Sequence, residues 1–87
     1  MKRQELWETA LSQFKAAPPK DMEGVTAFLD AMNTRVKQLI EKGDAPAALN
    51  LLKKVAKEAK ELGQSVIAAE ALVAVAKNSR RVQVNGN

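Results

Sequence analysis

Two glycines, Gly43 and Gly63, mark points where one helical pattern ends and another begins. Glycine readily adopts the left-handed backbone conformation that closes a helix. Asp44 and Ser65 follow closely, and both residue types cap the start of a helix. Pro46 fits the first turn after Asp44, where backbone N–H groups have no intrahelical acceptor. Connections this short join antiparallel neighbours, so the sequence predicts consecutive helices packed as hairpins.

Apolar residues recur at helical spacing on either side of these signals. The first stripe is Leu6, Trp7, Ala10, Leu11 and Phe14, and it ends before Pro18 and Pro19. The second is Met22, Val25, Phe28, Leu29, Met32, Val36, Leu39 and Ile40, preceded by Asp21 as a cap. The third is Ala48, Leu52, Val55, Ala56, Ala59 and Leu62. We expect these stripes, with all three aromatic residues, to form the core.

The patterns together predict an all-α fold, a small antiparallel four-helix bundle with helices at about 3–16, 21–42, 45–62 and 65–78. Residues 1–81 are expected to form one helical domain and residues 82–87 a flexible C-terminal tail. A chain of 87 residues buries only about 60% of its unfolded surface, so the core is thin. The fourth helix, the most apolar, is expected near the centre of the bundle.

One segment resembles part of a known repeat. Residues 43–55 resemble the second helix of a tetratricopeptide repeat, with Ala48 at the small position and Leu52 at the large one. The first-helix positions that such repeats fill with tryptophan, leucine and glycine hold Met32, Arg35 and Val36 here. The sequence shows no second copy. The resemblance implies a helical hairpin, and we assign no family from it.

The residue types present argue against catalysis. Histidine, cysteine and tyrosine are absent, which removes the usual general base near pH 7, the thiolate nucleophile and the phenolic acid. The glycines stand apart, so no phosphate-binding loop is formed. We therefore predict no catalytic residues, no cofactor and no metal. The longest apolar run, residues 71–76, is far shorter than the ~20 residues of a membrane span, and a cytoplasmic protein without anchor or signal peptide is expected.

The fourth helix carries the main functional prediction. Residues 66–76 are all alanine, valine, isoleucine or leucine except Glu70, which leaves no polar face. The predicted partner interface is Val66, Ile67, Leu72, Val73 and Val75. We predict a non-enzymatic helical protein-interaction module, a small adaptor, regulator or assembly subunit, that packs against itself or a partner protein, with a homodimer favoured. Alternatively, the alanines of this helix line its exposed side and the branched residues are covered within one chain.

A second hypothesis rests on charge. The chain has a net charge of +4, and its basic candidates for anion binding are Lys53, Lys57, Lys60, Arg80 and Arg81. The three lysines share one face of the third helix, which favours contact with phosphates in a nucleic-acid-binding regulatory protein. The same lysines also suit an ordinary solvated face, partly neutralised by Glu58 and Glu61.

Overall fold

A computed structural model describes the backbone of residues 3–86 and the side chains of residues 7–79. It contains the four helices α1 (Arg3–Ala16), α2 (Met22–Glu41), α3 (Ala45–Glu61) and α4 (Ser65–Gly86). They form a small antiparallel bundle with one apolar cluster, which confirms the predicted fold class.

The turn between α2 and α3 follows the predicted chemistry. Gly43 has a φ of +84°, the left-handed region, and its N–H donates to the carbonyl of Ile40 at 2.9 Å. The N–H of Asp44 donates to the carbonyl of Leu39, also at 2.9 Å. This pair of bonds satisfies carbonyls that the end of a helix would otherwise leave without donors. The Asp44 carboxylate then accepts from the N–H of Ala47 at 3.2 Å, so one residue closes α2 and caps α3.

The turn between α3 and α4 repeats this geometry with one change. Gly63 has a φ of +75°, and the N–H of Gln64 donates to the carbonyl of Ala59 at 2.8 Å. Ser65 does not cap α4 as predicted, because it is already the first helical residue. Gln64 precedes it, and its side-chain amide donates to the carbonyl of Pro19 at 3.2 Å. This bond ties the turn to the connection between α1 and α2.

Aromatic packing fixes α1 on α2. The rings of Phe14 and Phe28 are stacked, with centroids 4.3 Å apart and 17° between their planes. Trp7 contacts the same Phe28 at 5.6 Å in a tilted arrangement. All three side chains are buried, as the sequence predicted. At the end of α1, Lys15 Nζ lies 3.8 Å from Glu58 Oε2, so the exits of α1 and α3 share one end of the bundle.

The helix at the centre of the bundle is α3 and not α4. It packs against α2 and, most extensively, against α4. Leu52, Val55, Ala48 and Ala59 are fully buried. The small alanines beside Leu52 and Val55 let neighbouring helices approach α3 closely. The expected central position of α4 is therefore wrong, and α4 lies at the edge, with few contacts to α2.

The fourth helix is longer than predicted. Its backbone continues to Gly86, whereas the sequence indicated an end near residue 78. No glycine or proline lies between Ser65 and Asn85, so no residue in this stretch interrupts the backbone hydrogen bonds. The change to polar residues after Lys77 alters side-chain character without ending the helix. The flexibility of residues 82–87 stays a prediction.

Candidate interaction surface

The outward side of α4 carries the largest group of exposed branched side chains on one helix in the described part of the chain. Val66 is 47% exposed, Leu72 58% and Val73 49%. Their helix lies at the edge of the bundle, with α3 covering its opposite side. This exposure contrasts with a core in which the valine and leucine side chains are fully or nearly fully buried.

These side chains follow a regular spacing. Val66, Ala69, Val73 and Ala76 are separated by three, four and three residues, and all four are exposed. At about 100° per residue they and Leu72 occupy a sector of roughly 120°. Spacing of this kind forms the contact seam between two paired helices. We call this sector, made of Val66, Ala69, Leu72, Val73 and Ala76, the outer stripe.

The other two predicted interface residues lie elsewhere. Ile67 is fully buried against the bundle, and Val75 is half-buried beside the core. Ile67 therefore offers no side-chain surface to a partner. The alternative arrangement is realised only in part, because Ala71 is buried and Ala69 is exposed. Branched and small residues are therefore found on both the buried side and the exposed side of α4.

Two residues of opposite charge, Glu70 and Lys77, border the outer stripe. They were not among the predicted site residues. Glu70 and Lys77 are both exposed and lie on the edge of α4 that faces α2. They are seven residues apart, so they lie about 10 Å apart along the same edge of the helix. This pair could have been found from the sequence, because opposite charges that flank an apolar seam are typical of paired helices.

Two further apolar side chains are exposed at one end of the bundle. Met22 is 64% exposed and Leu62 is partly exposed, although both belong to stripes predicted to be core. Met22 is the first residue of α2 and Leu62 follows the last residue of α3. Both therefore lie at helix ends, beyond the packed part of the bundle.

The lysines of the second hypothesis share one exposed face of α3. Lys53, Lys57 and Lys60 are all exposed, and no ion pair among the described residues involves them. Glu58, expected to neutralise them, is engaged by Lys15 instead. The side chains of Arg80 and Arg81 lie outside the described residues.

A groove of about 340 Å³ lies between α1, α2 and α3. Trp7 and Leu51 supply apolar walls, while Glu8, Arg35 and Lys54 add charges of both signs. This mixture favours no particular ligand charge. Within the described part of the chain no group of three acidic side chains could hold a metal ion, and no helix is long and apolar enough to cross a bilayer.

The fold and its exposed stripe define a small helical bundle with an uncovered edge helix. No family model matches the chain, and comparisons with curated proteins and with solved structures give no significant match.

Proposed function

We propose that this protein is a non-enzymatic helical interaction module whose outer stripe on α4 packs against the same stripe of a second copy. The observation that carries the proposal is the position of the stripe. Half-exposed Val66, Leu72 and Val73 lie on an edge helix at the spacing used by paired helices. A second copy presents an identical stripe, so a two-fold pair covers both surfaces at once.

The expected strength of this association follows from the exposed areas. Burying a whole valine or leucine side chain contributes about 1.5–3 kcal/mol, so covering the exposed half of one contributes about 1 kcal/mol. A two-fold pair covers six such side chains, which amounts to about 6 kcal/mol before the costs of association. Without those costs it would correspond to a dissociation constant on the order of tens of micromolar, which is therefore the tightest value that these six side chains can support. The dimer should therefore form at high micromolar to millimolar concentrations.

A matched pair of substitutions tests the proposal. Val73→Glu places a charge in the middle of the outer stripe, and Thr34→Glu places the same charge on the exposed outward face of α2. Burying an unpaired carboxylate in an interface is strongly unfavourable, so the first variant should stay monomeric. Thr34→Glu should associate like the unmodified chain.

The measurement is sedimentation equilibrium from about 10 µM to about 3 mM, a range that begins below the tightest dissociation constant expected and extends into the millimolar range. Circular dichroism checks that both variants stay helical. Association of Val73→Glu equal to that of Thr34→Glu would refute the proposed surface. Equal helicity with a lower mass for Val73→Glu would support it.

A second candidate function is binding to nucleic acid through Lys53, Lys57 and Lys60, favoured by their shared exposed face. Phosphate contacts release counterions, so affinity should fall steeply with salt. Replacing the three lysines with alanine should weaken binding at every sequence and flatten the salt dependence. Fluorescence anisotropy with labelled duplex and single strands at low salt measures this, and no binding by the unmodified chain would remove this candidate.

A further inference from the structure

We propose that the two α4 helices pair antiparallel about a two-fold axis near Val73, with Glu70 of each copy opposite Lys77 of the other. This inference rests on the proposed self-association and adds the direction and register of the contact. It assigns partner selection to two charged residues for which the described part of the chain shows no ion pair and no side-chain hydrogen bond.

The direction of pairing decides which edges of the two helices meet. When two identical helices pack antiparallel along one seam, a given edge of the seam faces the same edge of the other copy. Glu70 and Lys77 occupy one edge of the outer stripe, on the side of α2. In an antiparallel pair this edge therefore meets a second Glu70 and a second Lys77.

The two charges also fix the register of the pair. Placing Glu70 opposite Lys77 of the second copy brings Lys77 opposite Glu70 by symmetry, so both pairs form together. The axis then passes midway between them, beside Val73 and within the outer stripe. In this register the helices overlap over about 18 residues, or roughly 27 Å at 1.5 Å per residue. This register pairs both charges and sets residues 71–76 of the seam against the same residues of the second copy, while Val66 lies opposite residue 81.

A parallel arrangement loses this match. There the edge that holds Glu70 and Lys77 faces the opposite edge of the second copy. Glu70 would lie opposite Ser65, and Lys77 would lie opposite Leu72. Neither charge would have a partner, and the lysine would lie against an apolar side chain. Charge complementarity therefore favours the antiparallel pair.

Both charges are available for this role. Glu70 and Lys77 are exposed, and the ion pair found among the described residues joins Lys15 to Glu58 instead. Exchanging either charge should leave the fold intact, since exposed helical glutamate and lysine have similar helix propensities.

Charge reversal gives a test with a distinctive outcome. Glu70→Lys alone creates lysine pairs across the interface, and Lys77→Glu alone creates glutamate pairs. Each single variant should dimerise about tenfold more weakly than the unmodified chain, since two exposed pairs change from attraction to repulsion. The double variant restores both pairs and should regain the original association.

Mixing the two single variants is the decisive step. In an antiparallel heterodimer the lysine introduced by Glu70→Lys meets the glutamate introduced by Lys77→Glu. On the other side of the axis, the unchanged Lys77 of the first variant meets the unchanged Glu70 of the second. The mixture should therefore associate about as tightly as the unmodified chain. Sedimentation equilibrium of each variant and of the equimolar mixture measures this, and adding salt should reduce the differences. Circular dichroism confirms that each variant stays folded.

The outcomes separate this inference from the proposed function. A mixture that associates no more tightly than the single variants would overturn the antiparallel register. If the unmodified chain still dimerised and Val73→Glu still blocked it, the proposed surface would stand without this register. An unmodified chain that stayed monomeric would overturn both proposals.

Discussion

Leu52→Ala is expected to remove a large part of the free energy of unfolding. Leu52 is fully buried in α3, the helix that packs against both α2 and α4. Truncating a leucine in such a place costs about 2–5 kcal/mol, and the surrounding helices limit how far the cavity can collapse. A domain of this size has a free energy of unfolding of roughly 4–13 kcal/mol. The substitution therefore removes a substantial fraction of it.

Leu62→Ala is the matched control. It makes the same chemical change directly after α3, where the side chain is partly exposed, so the expected cost is about 1 kcal/mol. Urea unfolding followed by circular dichroism, at a protein concentration low enough to keep the chain monomeric, gives both values. A loss below about 1 kcal/mol for Leu52→Ala, or equal losses for the two variants, would refute the central position of α3.

Two further predictions concern the turns. Gly43→Ala and Gly63→Ala should each lower the free energy of unfolding by about 1 kcal/mol, because a φ of +84° or +75° strains a residue with a Cβ atom. No neighbour lies within 4 Å of the added methyl group, so the cost is conformational, and unchanged stability in urea would contradict it. Gln64→Ala removes the bond to the Pro19 carbonyl and should cost about 1 kcal/mol, whereas Gln13→Ala should cost little. Equal unfolding midpoints for these two variants would contradict this role of Gln64.

Much of the fold could be predicted from local chemistry. The turns at Gly43 and Gly63 and the caps at Asp21 and Asp44 depend on residues within a few positions of one another. The caps and the helical periodicity were sufficient to predict where most of the helices lie and which residues form most of the core.

Features set by distant contacts could not be predicted in this way. Gly24 looks unfavourable within a helix, yet a Cβ atom there would lie 2.9 Å from Cβ of Pro19. The bond from Gln64 to Pro19 likewise joins residues far apart in sequence. For Met22 the apolar stripe predicts burial, but the residue lies at the start of α2 and is exposed.

The exposure of part of α4 could be predicted from the sequence, and its role as an interface stays a prediction. Composition indicated that α4 has too many branched residues to hide, and the exposure of Val66, Leu72 and Val73 agrees with that reasoning. Composition could not distinguish Ile67 from Val66, because both are branched and adjacent. Their separation depends on the side of α4 that α3 covers, which is a tertiary property.

The most direct test of self-association is the molar mass of the unmodified chain as a function of concentration. Sedimentation equilibrium between about 10 µM and about 3 mM spans the expected dissociation constants. We expect the mass to rise from 9.4 kDa toward twice that value and then to stop, because a two-fold interface closes on itself. A mass that stays at 9.4 kDa over the whole range, or that keeps rising past the dimer, would contradict the account.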